Sequence, residues 1–332
     1  MHNFCISHKE DVDGICSAAL IKATFDISKV ILVDYANLIS RLEKVETMFD
    51  KIDQLFICDL GLSKKNEQRF TDLLQTMVST GTQVIYIDHH DISKETLHAL
   101  KKADVTLIRT IEECTSMQVY AKYRKKLPDN AAFFAAMGAL TDYMENKPLA
   151  STIISRFDRQ FLMLESTALS YMISSSQHDD PFLLKIVDTL AKMKYPHDIK
   201  GGFDMAEKYA KKVANAVESI KESVVILDNL AYAPSTVELS SSMVVNFVLG
   251  SSGKPAAIVY KLKDDVKSYV LSIRGSAACK VHLGRLTNDI ASDLGGSGGG
   301  HDRACGALIP KANLQKFIET LNRKISDDKE YS

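Results

Sequence analysis

This chain has almost no net charge. Forty-one lysines and arginines stand against 42 aspartates and glutamates in 332 residues. It therefore lacks the basic excess that grips long duplex nucleic acid, and a small or short anionic substrate held by a few local cations fits better. It also lacks any C-x-x-C pair. Its six cysteines (Cys5, Cys16, Cys58, Cys114, Cys279, Cys305) are scattered, several in apolar runs, so buried free thiols and a reducing, cytoplasmic location are expected. No charged-then-apolar pattern opens the chain as a secretory signal would. The apolar stretch Ala131–Leu140 spans only ten residues, too few to cross a bilayer, so no membrane partner is expected. No internal repeat is found, and the low-complexity segment Gly295–Gly300 is too short for a linker.

The length favours two domains. In the first half, strand-like and helix-like segments alternate. Strands are expected at Asn3–Ser7, Val30–Asp34, Gln54–Cys58, Gln83–Ile87 and Val105–Arg109. Helices are expected at Gly14–Phe25, Leu38–Phe49, Ser63–Val78, Ser93–Lys101 and Ser116–Lys126, the last with Thr115 or Ser116 as N-cap. Such alternation implies a mostly parallel sheet, whose ligands bind beyond the carboxyl ends of the strands. An alanine-rich helix, Asn130–Tyr143, follows. Residues 150–222 look wholly helical and read as a connector. From about Ser223 the pattern turns β-rich: strands at Val224–Leu227, Ala256–Leu262, Tyr269–Arg274 and Ala304–Ile309, helices at Ser240–Leu249, Leu283–Leu294 and Lys311–Ser326, and a glycine-rich loop at Gly295–Gly300.

Carboxylates and imidazoles gather at the expected strand ends: His8, Asp11 and Asp13 after the first, Asp59 after the third, Asp88-His89-His90 after the fourth, with Asp142 near the end of the alanine-rich helix. Singly, each has an ordinary explanation. Asp59 before Gly61-Leu62-Ser63 would serve as a helix cap, and Asp13-Gly14 is a turn signal. Together they offer the mixed oxygen and nitrogen donors that hold two cations, which clamp the attacking and leaving oxygens of a phosphate ester roughly 3.5–4 Å apart. Imidazole beside carboxylate favours Mn²⁺ over Mg²⁺ alone.

His8-x-x-Asp11-x-Asp13-Gly14, Asp59, Asp88-His89-His90 and Asp142 resemble the four motifs of the DHH phosphoesterase superfamily. That family includes RecJ-type exonucleases, nanoRNase/pAp phosphatases, cyclic-dinucleotide phosphodiesterases and manganese pyrophosphatases. The strand bearing Arg274 and the run Gly295–Gly300 followed by His301 resemble its DHH-associated substrate-binding domain. The resemblance implies that His8 and Asp11 bind one metal, that Asp13, His89 and Asp142 bind the other, and that Asp59 bridges them. It also implies that Asp88 orients its neighbouring histidine and that His90 faces the scissile phosphate. Gly298, Gly299 and Gly300 would bring backbone N–H groups to the substrate, with side-chain contacts from Arg274 and His301. Lys280, His282 and Arg285 read as solvated cations nearby, and alone the glycine run would be a surface turn.

The expected architecture is therefore α/β: a parallel-sheet DHH domain over residues 1–149, a helical connector over 150–222, and a smaller α+β domain over 223–332 facing the first across an active-site cleft. The expected activity is two-metal phosphodiester hydrolysis of short single-stranded RNA or DNA, an exonuclease chemistry using Mn²⁺, or Mg²⁺ in its place. Cyclic dinucleotides and pAp are alternative substrates, a catalytically silent nucleotide-binding protein is the rival class, and a homodimer is one open oligomeric state.

Overall fold

Five short apolar runs form a fully parallel sheet: β1 (Asn3–His8), β2 (Ile27–Val33), β3 (Gln54–Cys58), β4 (Gln83–Asp88) and β5 (Thr106–Arg109). Helices α1 (Val12–Thr24), α2 (Leu38–Met48), α3 (Lys64–Ser79) and α4 (Lys94–Lys102) connect successive strands. The computed structural model describes residues 2–48, 52–236, 239–300 and 302–327. The strand order is β2-β1-β3-β4-β5, every pair parallel. The three central strands β1, β3 and β4 are covered on both faces, which is why they read as largely hydrophobic runs. Phe4, Ile6, Leu55, Ile57, Val84 and Tyr86 share a core with α2, α3 and α4. Their strand neighbours Cys5, Phe56, Cys58, Ile85 and Ile87 share a core with α1. The order reverses between β1 and β3, the point at which a sheet of this topology opens a crevice beyond its carboxyl ends.

The layer over α1 is built from α5 (Thr115–Tyr123), α6 (Ala131–Thr141), α7 (Pro148–Ile154), α8 (Arg159–Ser175) and α9 (Asp180–Ala191). Helix α1 packs against α5, α6 and α9, and α6 against α8. Buried residues surround α1 and α6 on nearly all sides, as expected of helices without a polar face. The apolar stretch of α6 is thus core. No helix among the described residues is long and apolar enough to cross a membrane, and all six cysteines are free and buried.

The chain divides into two compact units, Met1–Tyr209 and Ala210–Ser332, with the division inside α10 (Gly202–Ser223). Residues 150–209 of the expected connector belong to the first unit, where Leu162, Leu169 and Ile186 share the core of α1 and α6.

The second unit is a mixed six-stranded sheet. Its strands are β6 (Val225–Ile226), β7 (Leu230–Pro234), β8 (Ala256–Lys263), β9 (Ser268–Gly275), β10 (Ser297–Gly300) and β11 (Ala304–Pro310), ordered β10-β11-β9-β8-β7-β6. Helices α11 (Ser241–Ser252), α12 (Leu283–Asp293) and α13 (Leu314–Asp327) accompany it. The α/β class with a smaller α+β unit is as the sequence implies, with two local corrections. Strand β7 has no sequence forecast. Gly298–Gly300 form no loop but the edge strand β10, paired antiparallel with β11. Glycine is required there: Gly300 has φ +140° and a Cβ on it would lie 2.6 Å from the Ala304 carbonyl.

Candidate metal centre

The carboxyl ends of β1, β3 and β4 and the end of α6 deliver the nominated residues of the first unit to one place. Three groups have ligand atoms within 4.8 Å of one another: His8, Asp11 and Asp59; Asp13, His89 and Asp142; and Asp59, His89 and His90. The first two are the ligand sets implied by the sequence, and Asp59 lies against both. Its Oδ2 is 3.7 Å from His8 Nδ1 and its Oδ1 is 3.4 Å from His89 Nε2. His89 Nε2 in turn lies 3.4 Å from Asp142 Oδ2.

Asp59 is no helix cap. It is buried, its backbone N–H donates to the Ile87 carbonyl at 3.0 Å, and its φ is +57°. A left-handed non-glycine residue costs of order 1–3 kcal/mol, and such strain collects at functional sites. Asp11 does cap α1, its Oδ1 accepting from Gly14 N–H at 2.9 Å, while its Oδ2 lies 2.7 Å from His8 Nδ1. The sequence named Thr115 or Ser116 as N-cap of α5, but Cys114 occupies that position. The N–H groups of Thr115 and Ser116 instead hold Asp13, donating to its two carboxylate oxygens at 2.8 and 2.9 Å. A helix N-terminus is thereby spent on orienting one buried acid.

Gly138 of α6 makes room for Asp13. A Cβ there would lie 2.6 Å from Asp13 Oδ1 and closer still to Ser116 Oγ. Alanine normally stabilises a helix interior relative to glycine, but here Gly138→Ala is expected to destabilise the protein by about 1–3 kcal/mol through overpacking. Urea denaturation checks this; a stability gain would show that the Asp13 pocket is loose.

The histidine oriented by Asp88 is His90. Asp88 is fully buried; its Oδ1 lies 2.9 Å from His90 Nδ1, and its Oδ2 accepts from His90 N–H at 3.2 Å and from Tyr86 Oη at 2.9 Å. Arg109 donates to the His90 carbonyl. The sequence reading missed Tyr35, whose ring stacks on His8 at 4.2 Å and whose hydroxyl lies 3.1 Å from His90 Nε2. Its signal was topological. Strand β2 neighbours β1, so a residue just past the end of β2 sits beside His8.

Burial raises the Asp13 carboxyl to about 8, aided by Asp59 and Asp142. Burial likewise raises Asp142 to about 6. Burial also opposes charge on His8 and His89, but facing carboxylates win: Asp11, Asp59 and Glu10 hold His8 up at about 12, and Asp59, Asp13 and Asp142 hold His89 at about 9. Asp59, although buried, is pushed far below the usual range by His8 and His89. His90 is raised, against burial, by Asp88.

Raised folded-state values mean that the metal-free protein holds more protons than its unfolded chain, so their stabilisation is lost as pH rises through them. For Asp13 and Asp142 that window runs from the ordinary 3.8 to about 8 and about 6. For the histidines it starts near 6.5 and runs to about 9 and about 12. Chelator-stripped protein should therefore lose Tm steadily from about pH 5 to about pH 9, and Mn²⁺ should restore more of it at the alkaline end, where carboxylates are ionised without competition. A Tm that rises across this window would contradict the assignment of charges.

The residues fit divalent ions. Both ring nitrogens of His8 and Oδ2 of Asp142 are buried and make no well-aligned hydrogen bond, even where Asp11 Oδ2 comes within 2.7 Å of His8 Nδ1, although buried polar atoms are nearly always satisfied. Carboxylate with imidazole is a donor set for Mn²⁺, Fe²⁺, Co²⁺ or Zn²⁺.

In the second unit, sheet register brings Arg274 and the glycine strand together, since Ala304 pairs with Arg274 and Cys305 with Gly300. Arg274 is half-buried and donates to the Ile273 carbonyl. Gly299 points its Cβ direction into open space. His301 lies outside the described residues. His282 caps α12, and Lys280 donates to the Ala277 carbonyl.

Comparison with known families and structures decides the ancestry of this arrangement. Residues 3–140 match the model of the DHH family N-terminal domain, and residues 230–327 match that of the DHHA1 domain. The chain belongs to the DHH phosphoesterase superfamily. No curated protein matches it in sequence. Among solved structures, the DHH fold recurs in a pGpG-specific phosphodiesterase, PggH, from Vibrio cholerae, with TM-score 0.63 at 14% identity over 99% of this chain and 100% of that one. It recurs in RecJ from Thermus thermophilus in complex with Mn²⁺, with TM-score 0.60 at 12% identity over 98% of this chain and 52% of that one. It recurs also in CDC45 from Entamoeba histolytica, with TM-score 0.61 at 12% identity over 98% and 95%.

Proposed function

We propose that this DHH protein is a metal-dependent phosphodiesterase that hydrolyses short single-stranded oligonucleotides with two divalent ions, Mn²⁺ being preferred. One observation carries the reading: two ligand sets, His8 with Asp11 and Asp13 with His89 and Asp142, meet at the buried, strained Asp59. Such ions, when bound, supply Lewis acidity toward the phosphate oxygens and the attacking water.

The chain supplies the rest. Thr115 and Ser116 fix Asp13 before any substrate arrives. Asp88 and the Arg109 contact hold His90 at the rim of the cluster, where its ring would donate to a phosphate oxygen or to the leaving group. In the second unit, edge strand β10 leaves one row of backbone groups outside the sheet, and with Arg274 it would offer donors to a substrate phosphate. The near-zero net charge, 41 basic against 42 acidic residues, supports short substrates over long strands, which are gripped through a basic excess.

The test is turnover of chelator-stripped protein on end-labelled RNA and DNA oligomers of graded length, beside pAp, a cyclic dinucleotide and bis-p-nitrophenyl phosphate. Rates should be highest on the shortest oligomers with Mn²⁺, lower with Mg²⁺ and near zero with Ca²⁺, which is larger and less acidic. Equal rates with Mg²⁺ and Mn²⁺ would argue against the histidine ligands. No hydrolysis of any diester would favour the silent nucleotide-binding alternative.

A further inference from the structure

Directly after Asp142, α6 ends in a left-handed cap: Tyr143 has φ +58°, and the Met144 N–H donates to the Ala139 carbonyl at 2.9 Å. The Tyr143 side chain is 83% exposed, an unusual setting for a large aromatic. Beside it, between the end of α6 and the face of α8, is a cavity of about 230 Å³. Thr141 and Tyr143, the neighbours of Asp142 on either side, both line it, so the cavity begins one residue away from a proposed ligand. Its other walls include Leu140, Met163, Thr167 and Ser170. The left-handed turn ends α6, but the exposed ring and the cavity beside it have no part in the metal cluster.

The chemistry of this lining is that of a base-binding subsite. An exposed tyrosine ring offers a stacking platform that accepts any nucleobase. Met163, 46% exposed, offers a polarizable sulfur to the face or edge of an aromatic ring. Thr167 and Ser170 offer hydroxyls, each a donor and an acceptor, to a base edge. The Cα atoms of Thr141 and Tyr143 lie one peptide bond, about 3.8 Å, from that of Asp142, a separation that a nucleoside attached to a phosphate at the metal centre would span.

We infer that Tyr143 and the α6–α8 cavity form a nucleobase subsite, which holds one base of the substrate while its phosphate lies at the metal centre. The subsite rests on the phosphodiesterase reading, and its occupant is a base rather than a second phosphate, because the lining contains no cation.

The test compares binding of adenosine 5′-monophosphate with that of ribose 5-phosphate by calorimetry in the presence of Mn²⁺. The two share a phosphate and a ribose and differ by the base. Wild type should prefer the nucleotide, and Tyr143→Ala should reduce that preference on the order of tenfold, while Tyr143→Phe, which keeps the ring, retains it. A dinucleotide bearing 2-aminopurine should lose fluorescence on binding wild type and keep it with Tyr143→Ala. Loss of both affinities by the same factor in Tyr143→Ala, or no preference in wild type, would overturn the subsite. So would a change in oligomeric state in Tyr143→Ala with the preference intact, which would make the cavity part of a contact between copies. Diester hydrolysis is measured in parallel. A Tyr143-dependent preference without hydrolysis sinks the proposed activity and leaves the subsite standing; hydrolysis without the preference does the reverse.

Discussion

Asp59→Asn is expected to cost more than about a hundredfold in Mn²⁺-dependent turnover. Removing even the outer hydrogen-bond partners of metal ligands typically costs about 10–100-fold, and Asp59 lies against both ligand sets rather than behind one. The substitution keeps shape and Thr115 Oγ1, 3.1 Å from Asp59 Oδ1, keeps an acceptor in reach, so the fold should survive. It removes one of several buried negative charges, which also raise one another's protonation values: Asp59 helps raise both Asp13 and Asp142. The metal-free variant should accordingly hold Asp13 and Asp142 closer to the ordinary carboxylate range. Steady-state kinetics at saturating Mn²⁺ measures the first effect and NMR titration the second. Retention of a tenth or more of turnover would remove Asp59 from the bridging position.

Asp88→Asn should behave differently. Asp88 grips His90 at both its backbone N–H and its ring. An amide there presents a donor where the ring nitrogen needs an acceptor, so His90 is freed to turn or to change tautomer. The expected result is a kcat lower by about 10–100-fold, with Mn²⁺ affinity changed far less than in Asp59→Asn. If Mn²⁺ binding collapses in step with kcat, Asp88 is shaping the metal centre and His90 has no separate part.

The parallel sheet was legible because its central strands are buried on both faces: the run from Gln54 to Cys58 is bounded by polar residues and matches β3 end to end. The gathering of acids and histidines at one end of the sheet was legible because strand-end position follows from strand position, and these residues stand immediately after those runs. Other features depend on three-dimensional pairing and leave no local mark. Glycines have low strand propensity, so Gly298–Gly300 read as a loop, although their pairing with β11 is what demands glycine at Gly300. Strand β7, Leu-Ala-Tyr-Ala-Pro, carries weak strand formers and is held by parallel pairing with β8. Cys114 displaced the expected caps of α5 because Thr115 and Ser116 are committed to Asp13, over a hundred positions away in sequence. Tyr35 meets His8 and His90 only because β2 lies beside β1.

The central claim is that two ions share one carboxylate, and Mn²⁺ binding to chelator-stripped protein tests it most directly. Calorimetry should give two Mn²⁺ per chain for wild type, and the paramagnetic resonance spectrum should show spin coupling between ions a few ångströms apart. Asp59→Asn should weaken both sites together and abolish the coupling. A single ion per chain, or two uncoupled ions of which Asp59→Asn removes only one, would contradict the account.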